Sequence, residues 1–361
     1  MKQKNSFPHI IIMMLVGAAG GFLGALYMID TPTSWVNIII AVGTLILSFI
    51  FHLIIHEFGH LLFGKATGYQ VLSFRVFSHM WVKNSDKIEY KRLSVPGTLG
   101  QCLMIPPEKK DGNFPFKLYL LGGGLMNIFA SVLVLGVTLS LDFRSIHILA
   151  FVMAGLLAAG LNLTPFSFND GMMLKNSIKK VEVRQFLYNQ LKVNSLTSTG
   201  TAYLELPQEL IEKPELLNYQ DLFHIWVMLV HYNRALEGQR FIEAREIIDE
   251  VWTNIDKTNF YRQEVAKEWM FIHLYLNEQL EVVENMWKQK ELQVSISAKM
   301  ISHSRLKAMF AWRMEGNEEK ASQFFAEAIE YGKRHPNEGD AQMEYNLIKH
   351  CQQQLKERQH A

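Results

Sequence analysis

The sequence predicts an all-α polytopic membrane domain with a small β-sheet between its spans, followed by a cytoplasmic α-helical repeat (solenoid) domain. Three observations lead there. Long apolar runs dominate up to about Pro165, whereas from about Lys175 the chain is charged, aromatic and broken into amphipathic segments. A stretch rich in aromatic and β-branched residues interrupts the apolar half. In the second half, polar turns at Gly238, Asn277 and Gly316 recur at 39 residues. A length of 361 residues leaves room for two domains of ordinary size. The net charge of +1 points to no particular partner, nucleic acid included. Cys102 and Cys351 are the only cysteines and lie far apart, so a disulfide framework is not expected.

Crossing a bilayer takes about 20 apolar residues as a helix. Four stretches qualify, at about 10–28, 35–63, 118–141 and 146–165. The first follows Lys2 and Lys4 like a signal peptide, but it is long, lacks a convincing cleavage site and precedes further spans, so it is read as retained. Lys2 and Lys4 also set the orientation, together with the basic residues between spans two and three. The links "DTPTS" and "DFRS" carry only Arg144 between them. By the positive-inside rule both termini, the central loop and the repeats are cytoplasmic, in a multi-pass protein of the cell membrane.

Span two carries His56-Glu57-Phe58-Gly59-His60. Histidines at i and i+4 share one helical face, so both imidazoles can bind one zinc while Glu57 reaches a water on it. Ionisable groups in an apolar span are functional suspects by default. A catalytic zinc usually takes a third protein ligand. Asp170 is a candidate, beyond the Pro165 break and beside Gly171, and helix capping is the competing explanation for it. His52 continues the line of His56 and His60 one turn outward and is read as a supporting contact rather than a ligand.

Here the chain resembles the site-2 proteases, intramembrane zinc metalloproteases. Their His-Glu-x-x-His motif matches His56, Glu57 and His60. Their Asn-x-x-Pro-x-x-x-x-Asp-Gly motif matches Asn162, Pro165, Asp170 and Gly171. The family's Gly-Pro-x-x-Asn pattern is represented by Gly123 to Asn127, with Gly124 where the family has proline. The resemblance covers about residues 35 to 175. It implies one zinc per chain, held by His56, His60 and Asp170, with Glu57 as general base. It implies for Asn127 a part in positioning substrate or stabilising the oxyanion; an interhelical hydrogen bond explains that residue equally well.

Residues 71–95 alternate around "NSD", which reads as a hairpin, and "TLGQCLMI" adds an extended piece ending at Pro106-Pro107. The resemblance implies that this β-rich loop, about 69–106, forms a small membrane-apposed sheet. Its free edge could pair with an unwound substrate, or it could simply cover the helix ends. Residues 176–213 read as a connector. Residues 214–361 read as tetratricopeptide-like helical repeats, with Trp226, Trp252, Trp269, Trp287 and Trp312 as core fillers. Such repeats usually present a protein-binding surface.

The expected function is zinc-dependent intramembrane cleavage of a small membrane protein or membrane-inserted peptide. The settings are regulated intramembrane proteolysis, signal-peptide remnants or peptide precursors. Two other classes stand beside it: a catalytically silent membrane scaffold that binds proteins through the repeats, and a zinc enzyme of lipid hydrolysis.

Overall fold

A computed structural model describes residues 34–84, 87–93, 99–165 and 169–359. The span expected at 10–28 lies outside the described residues. The chain is mostly helical and divides into two compact units, Met1–Tyr69 with Lys109–Lys179, and Gln70–Glu108 with Lys180–Ala361.

The first unit holds α1 (Trp35–Ala66), α2 (Phe116–Ser140), α3 (Ile146–Leu163) and α4 (Asp170–Lys179). The first three are long and apolar enough to cross a membrane. Ser34 caps α1 by accepting the Asn37 N–H at 3.3 Å. The helix ends where Gly68 adopts φ 89°, with Gly68 N–H bonded to the Lys65 carbonyl and Tyr69 N–H to that of Gly64. This is a Schellman turn, and only glycine takes its left-handed position without strain. Large apolar side chains face outward, among them Ile39, Leu47, Phe51, Phe129 and Val132. The polar residues turn inward instead, where α1, α2 and α3 pack together.

The second unit opens with strands β1 (Gln70–Val76), β2 (His79–Asn84), β3 (Lys87–Arg92) and β4 (Gly100–Ile105). They form one antiparallel sheet in the order β3-β2-β1-β4. The hairpin expected around "NSD" is there, with Asn84 opposite Lys87. Cross-strand aromatic pairs fix the register, Trp81 lying opposite both Phe74 and Tyr90. The sequence reading keeps this loop with the apolar helices, whereas the sheet belongs to the second unit. The reason is local: β4 packs on α5 (Val181–Ser198), and Glu108 accepts from Lys192 Nζ and, at 3.2 Å, from the Tyr188 hydroxyl.

The remaining helices are α6 (Leu222–Glu237), α7 (Phe241–Asn254), α8 (Arg262–Leu276), α9 (Leu280–Trp287), α10 (Lys290–Ser295), α11 (Ile301–Arg313), α12 (Glu318–Gly332) and α13 (Glu338–Gln359). The three expected turns separate α6 from α7, α8 from α9 and α11 from α12. Asn277 and Gly316 are left-handed at φ 61° and 63°; at the first turn the left-handed residue is Gln239, not Gly238. Trp226, Trp269 and Trp312 are buried, Trp252 stacks on Trp269, and Trp287 stacks on Phe310.

A buried polar ladder crosses this core, with one residue from each of α6, α8, α11 and α13. The Tyr232 hydroxyl donates to Glu268 at 2.9 Å, Arg305 Nη2 to Glu268 at 2.9 Å, and Arg305 Nε to Glu344 at 2.7 Å. Successive members are 36, 37 and 39 residues apart. Burial opposes the Arg305 charge, but the Glu268 and Glu344 carboxylates outweigh it and hold the guanidinium firmly cationic.

Candidate metal centre

The first unit brings His56, His60 and Asp170 together. His56 and His60 are one turn apart on α1, and Asp170 is the first residue of α4. The two Nε2 atoms are 3.1 Å apart, and Asp170 Oδ2 lies 3.4 Å from His56 Nε2 and 3.1 Å from His60 Nε2. Such a group is able to hold a metal ion.

His60 is held from behind, Asp170 is held through its backbone, and Asn162 meets His56 on the nitrogen that faces the centre. His60 Nδ1 donates to the Tyr119 carbonyl at 2.7 Å. A carbonyl only accepts, so the hydrogen sits on Nδ1 and, in the neutral ring, the Nε2 lone pair faces the centre. Asn162 Oδ1 accepts the Asp170 N–H at 3.2 Å, which turns the Asn162 amide nitrogen towards His56 Nε2, also at 3.2 Å. The cap of α4 is Asn169, not Asp170: Asn169 Oδ1 accepts the Met172 N–H, and its Nδ2 donates to the carbonyls of Leu161 and Thr164. Asp170 is thereby released from capping, and its carboxylate faces the histidines.

Close helix packing makes the centre possible. At the crossing of α1 and α2, a Cβ on Gly59 would lie 2.2 Å from the Gly122 carbonyl oxygen. One on Gly123 would lie 2.3 Å from the His56 ring. Consecutive glycines cost a helix about 1 kcal/mol each, and here they admit an imidazole between two helices.

Glu57 is buried, at 8% exposure, on the same turn as His56. Asn127, at 1% exposure, is paired with His52: its amide lies 3.2 Å from His52 Nδ1, and His52 Nε2 is 3.1 Å from the Phe151 carbonyl. His52 therefore links all three apolar helices one turn from His56, and neither it nor Asn127 joins the group of three. Sequence reasoning gave Gly123 and Asn162 no role beyond their motifs, and it missed the Tyr119 carbonyl. The run Gly122-Gly123-Gly124 inside an apolar helix was the available signal for the first.

Comparison with protein-family models, curated proteins and solved structures gives no match. The site's chemistry rests on its own geometry.

Proposed function

We propose that this chain is a zinc-dependent endopeptidase of the cell membrane, hydrolysing a peptide bond in a membrane-embedded protein or membrane-inserted peptide. The observation that carries the proposal is the convergence of two imidazole nitrogens and one carboxylate oxygen, 3.1 to 3.4 Å apart. Zinc fits this donor set. Bonds of about 2.0–2.1 Å at tetrahedral angles put neighbouring donor atoms about 3.3 Å apart, and two histidines with one carboxylate leave a fourth position open. His56, His60 and Asp170 would hold the zinc, and once bound it would supply polarisation of a carbonyl oxygen and a water of pKa about 7.

The protein's own residues do the rest. Glu57 takes a proton from the attacking water as the new bond to the carbonyl carbon forms. It returns that proton to the amine nitrogen as the C–N bond breaks. The Asn162 amide N–H, oriented by the Asp170 backbone, is a donor for the carbonyl oxygen as it becomes negative. Asn127 contributes through His52, by fixing how α1, α2 and α3 pack. The outward apolar side chains of these helices support a lipid environment, and the distribution of basic residues supports a cytoplasmic location for both termini. The paired helices of the second unit suit a protein partner on that side.

Glu57→Gln tests the proposal. The variant should retain one zinc per chain by metal analysis and lose cleavage by about 100- to 10,000-fold. Comparative proteomics of cells carrying wild type and variant should then show the uncut substrate accumulating. Equal proteomes, with zinc bound in both, would favour the silent scaffold instead.

A further inference from the structure

The second unit contains a cavity of about 370 Å³ that neither the metal centre nor the buried ladder uses. Three helices and one strand line it, namely α11, α12, α13 and β3. Its floor is apolar: Ile301 and Ile348 are buried there, and Ile329 packs against the same core. Its rim is polar, with Lys91, Lys333, His335 and Glu338. An apolar hollow of this size with a few convergent polar groups is the usual form of a ligand site.

The rim selects for charge. Lys91 stands on β3 and Lys333 closes α12, so the two lysines reach the cavity from different elements. Their carboxylate neighbours, Glu89 at 3.6 Å and Glu330 at 2.6 Å, do not line it. Glu338 is the one acid on the rim, which leaves two cations against one anion. It opens α13, whose N-terminal end adds positive potential. The Lys91 side chain is only 18% exposed, so an anion gains more beside it than beside a fully hydrated lysine.

A carboxylate on an apolar body fits such a hollow, and the strand beside it favours one that ends a polypeptide. β3 is an outer strand of the described sheet, and residues 87–90 are exposed along it. The outer edge of such a strand offers backbone groups to an extended chain. A chain running parallel to β3 along that edge reaches the cavity at Lys91, near the strand's C-terminal end. We propose that this cavity binds the C-terminal residue of an extended peptide, with an apolar side chain on the isoleucine floor and the terminal carboxylate beside Lys91 and Lys333. The site is separate from the hydrolysis proposed above, since every residue lining it belongs to the second unit.

The test uses the full-length protein in phosphatidylcholine vesicles. The probe is a fluorescein-labelled hexapeptide of alternating Thr and Val that ends in Leu, read by anisotropy. Its free acid should bind at least about tenfold more tightly than its C-terminal amide, as a hydrogen bond to a charged group allows. In the double variant Lys91→Ala with Lys333→Ala that difference should vanish. The unfolding temperature should change little, since the ion pairs of both lysines reach exposed carboxylates. Glu338→Gln removes the opposing charge from the rim, so it should tighten the acid about threefold and leave the amide as it was. Methylating the backbone nitrogens of the upstream residues should weaken the acid about tenfold, because pairing along β3 is lost. Chelating zinc should change nothing, so the peptidase proposal can fail without touching this one. Equal binding of acid and amide, no binding of either, or an acid preference that survives in the double variant would each overturn the inference. So would indifference to methylation, loss of binding with the zinc, or displacement by N-acetylleucine or decanoate as effective as by unlabelled peptide.

Discussion

The two units each bury a polar cluster, and the clusters are built on opposite principles. In the ladder of the second unit, Arg305 lies between Glu268 and Glu344, so each carboxylate meets a cation from the same chain. At the metal centre of the first unit, two imidazole nitrogens and a carboxylate oxygen face one another. Buried charges persist when they are paired or coordinate a metal. The ladder pairs both carboxylates with Arg305 inside the chain, leaving only Arg305 Nη1 of its guanidinium without a partner, and it serves the fold. The centre is a set of electron-pair donors able to hold a cation from outside, which suits the chemistry proposed for it. Losses should accordingly fall on stability in one unit and on ion binding in the other.

Asp170→Ala should give the largest effect on ion binding and the clearest contrast. Metal analysis should find zinc affinity lowered by at least about 100-fold, more than the loss of an outer-shell contact causes, with the unfolding temperature little changed. Arg305→Met should do the reverse. Two carboxylates are left buried without their cation, at a cost of about 3–5 kcal/mol, while bound zinc stays at wild-type level. Amide exchange in α8 and α11 measures that loss, and adding Glu268→Gln with Glu344→Gln should restore part of it. A zinc defect in Arg305→Met would break the division of labour.

A smaller effect concerns pH. Burial, helped by the Lys267 amine at 2.7 Å, pulls His303 down to about 4. An unfolded imidazole titrates near 6.5, so between these values the unfolded chain binds a proton that the native one does not. Stability should be complete above pH 6.5 and fall as pH drops towards 4, by about 3 kcal/mol in all. His303→Leu should flatten that part of the profile, measured by denaturation across pH. The smallest effect is expected for Asn127→Ala. Loss of its link to His52 should cost the helix packing about 1 kcal/mol and leave zinc unchanged.

What the sequence made legible follows range of interaction. The pairing of His56 with His60 is set by helical periodicity within five residues, and it could be read directly. The turns at Asn277 and Gly316 were likewise legible, because residue types that accept the left-handed region mark themselves. Asp170 was visible as a residue but ambiguous in role, and the ambiguity was resolved by its neighbour Asn169 taking the cap. The Tyr119 carbonyl was invisible, since a backbone oxygen leaves no mark on residue identity. The ladder was hidden for another reason. Its members recur 36, 37 and 39 residues apart, yet they are Tyr, Glu, Arg and Glu, and a search for similar residues passes over complementary ones. The grouping of the sheet with the second unit depended on Glu108 meeting Lys192 and Tyr188, contacts some 80 residues apart.

The length of α1 carries one more consequence. Its 32 residues extend about 48 Å, well beyond the roughly 30 Å of hydrocarbon in an ordinary bilayer. His56 follows Trp35 by 21 residues, about 30 Å along the membrane normal at the usual tilt of about 20°. If α1 crosses a bilayer and enters it at Trp35, its histidines reach the opposite boundary of the hydrocarbon rather than its middle, where water can reach them. If the centre hydrolyses peptide bonds as proposed, bilayer thickness should act as a control on it: longer acyl chains would draw the centre into drier surroundings, and shorter ones would lift it towards the headgroups.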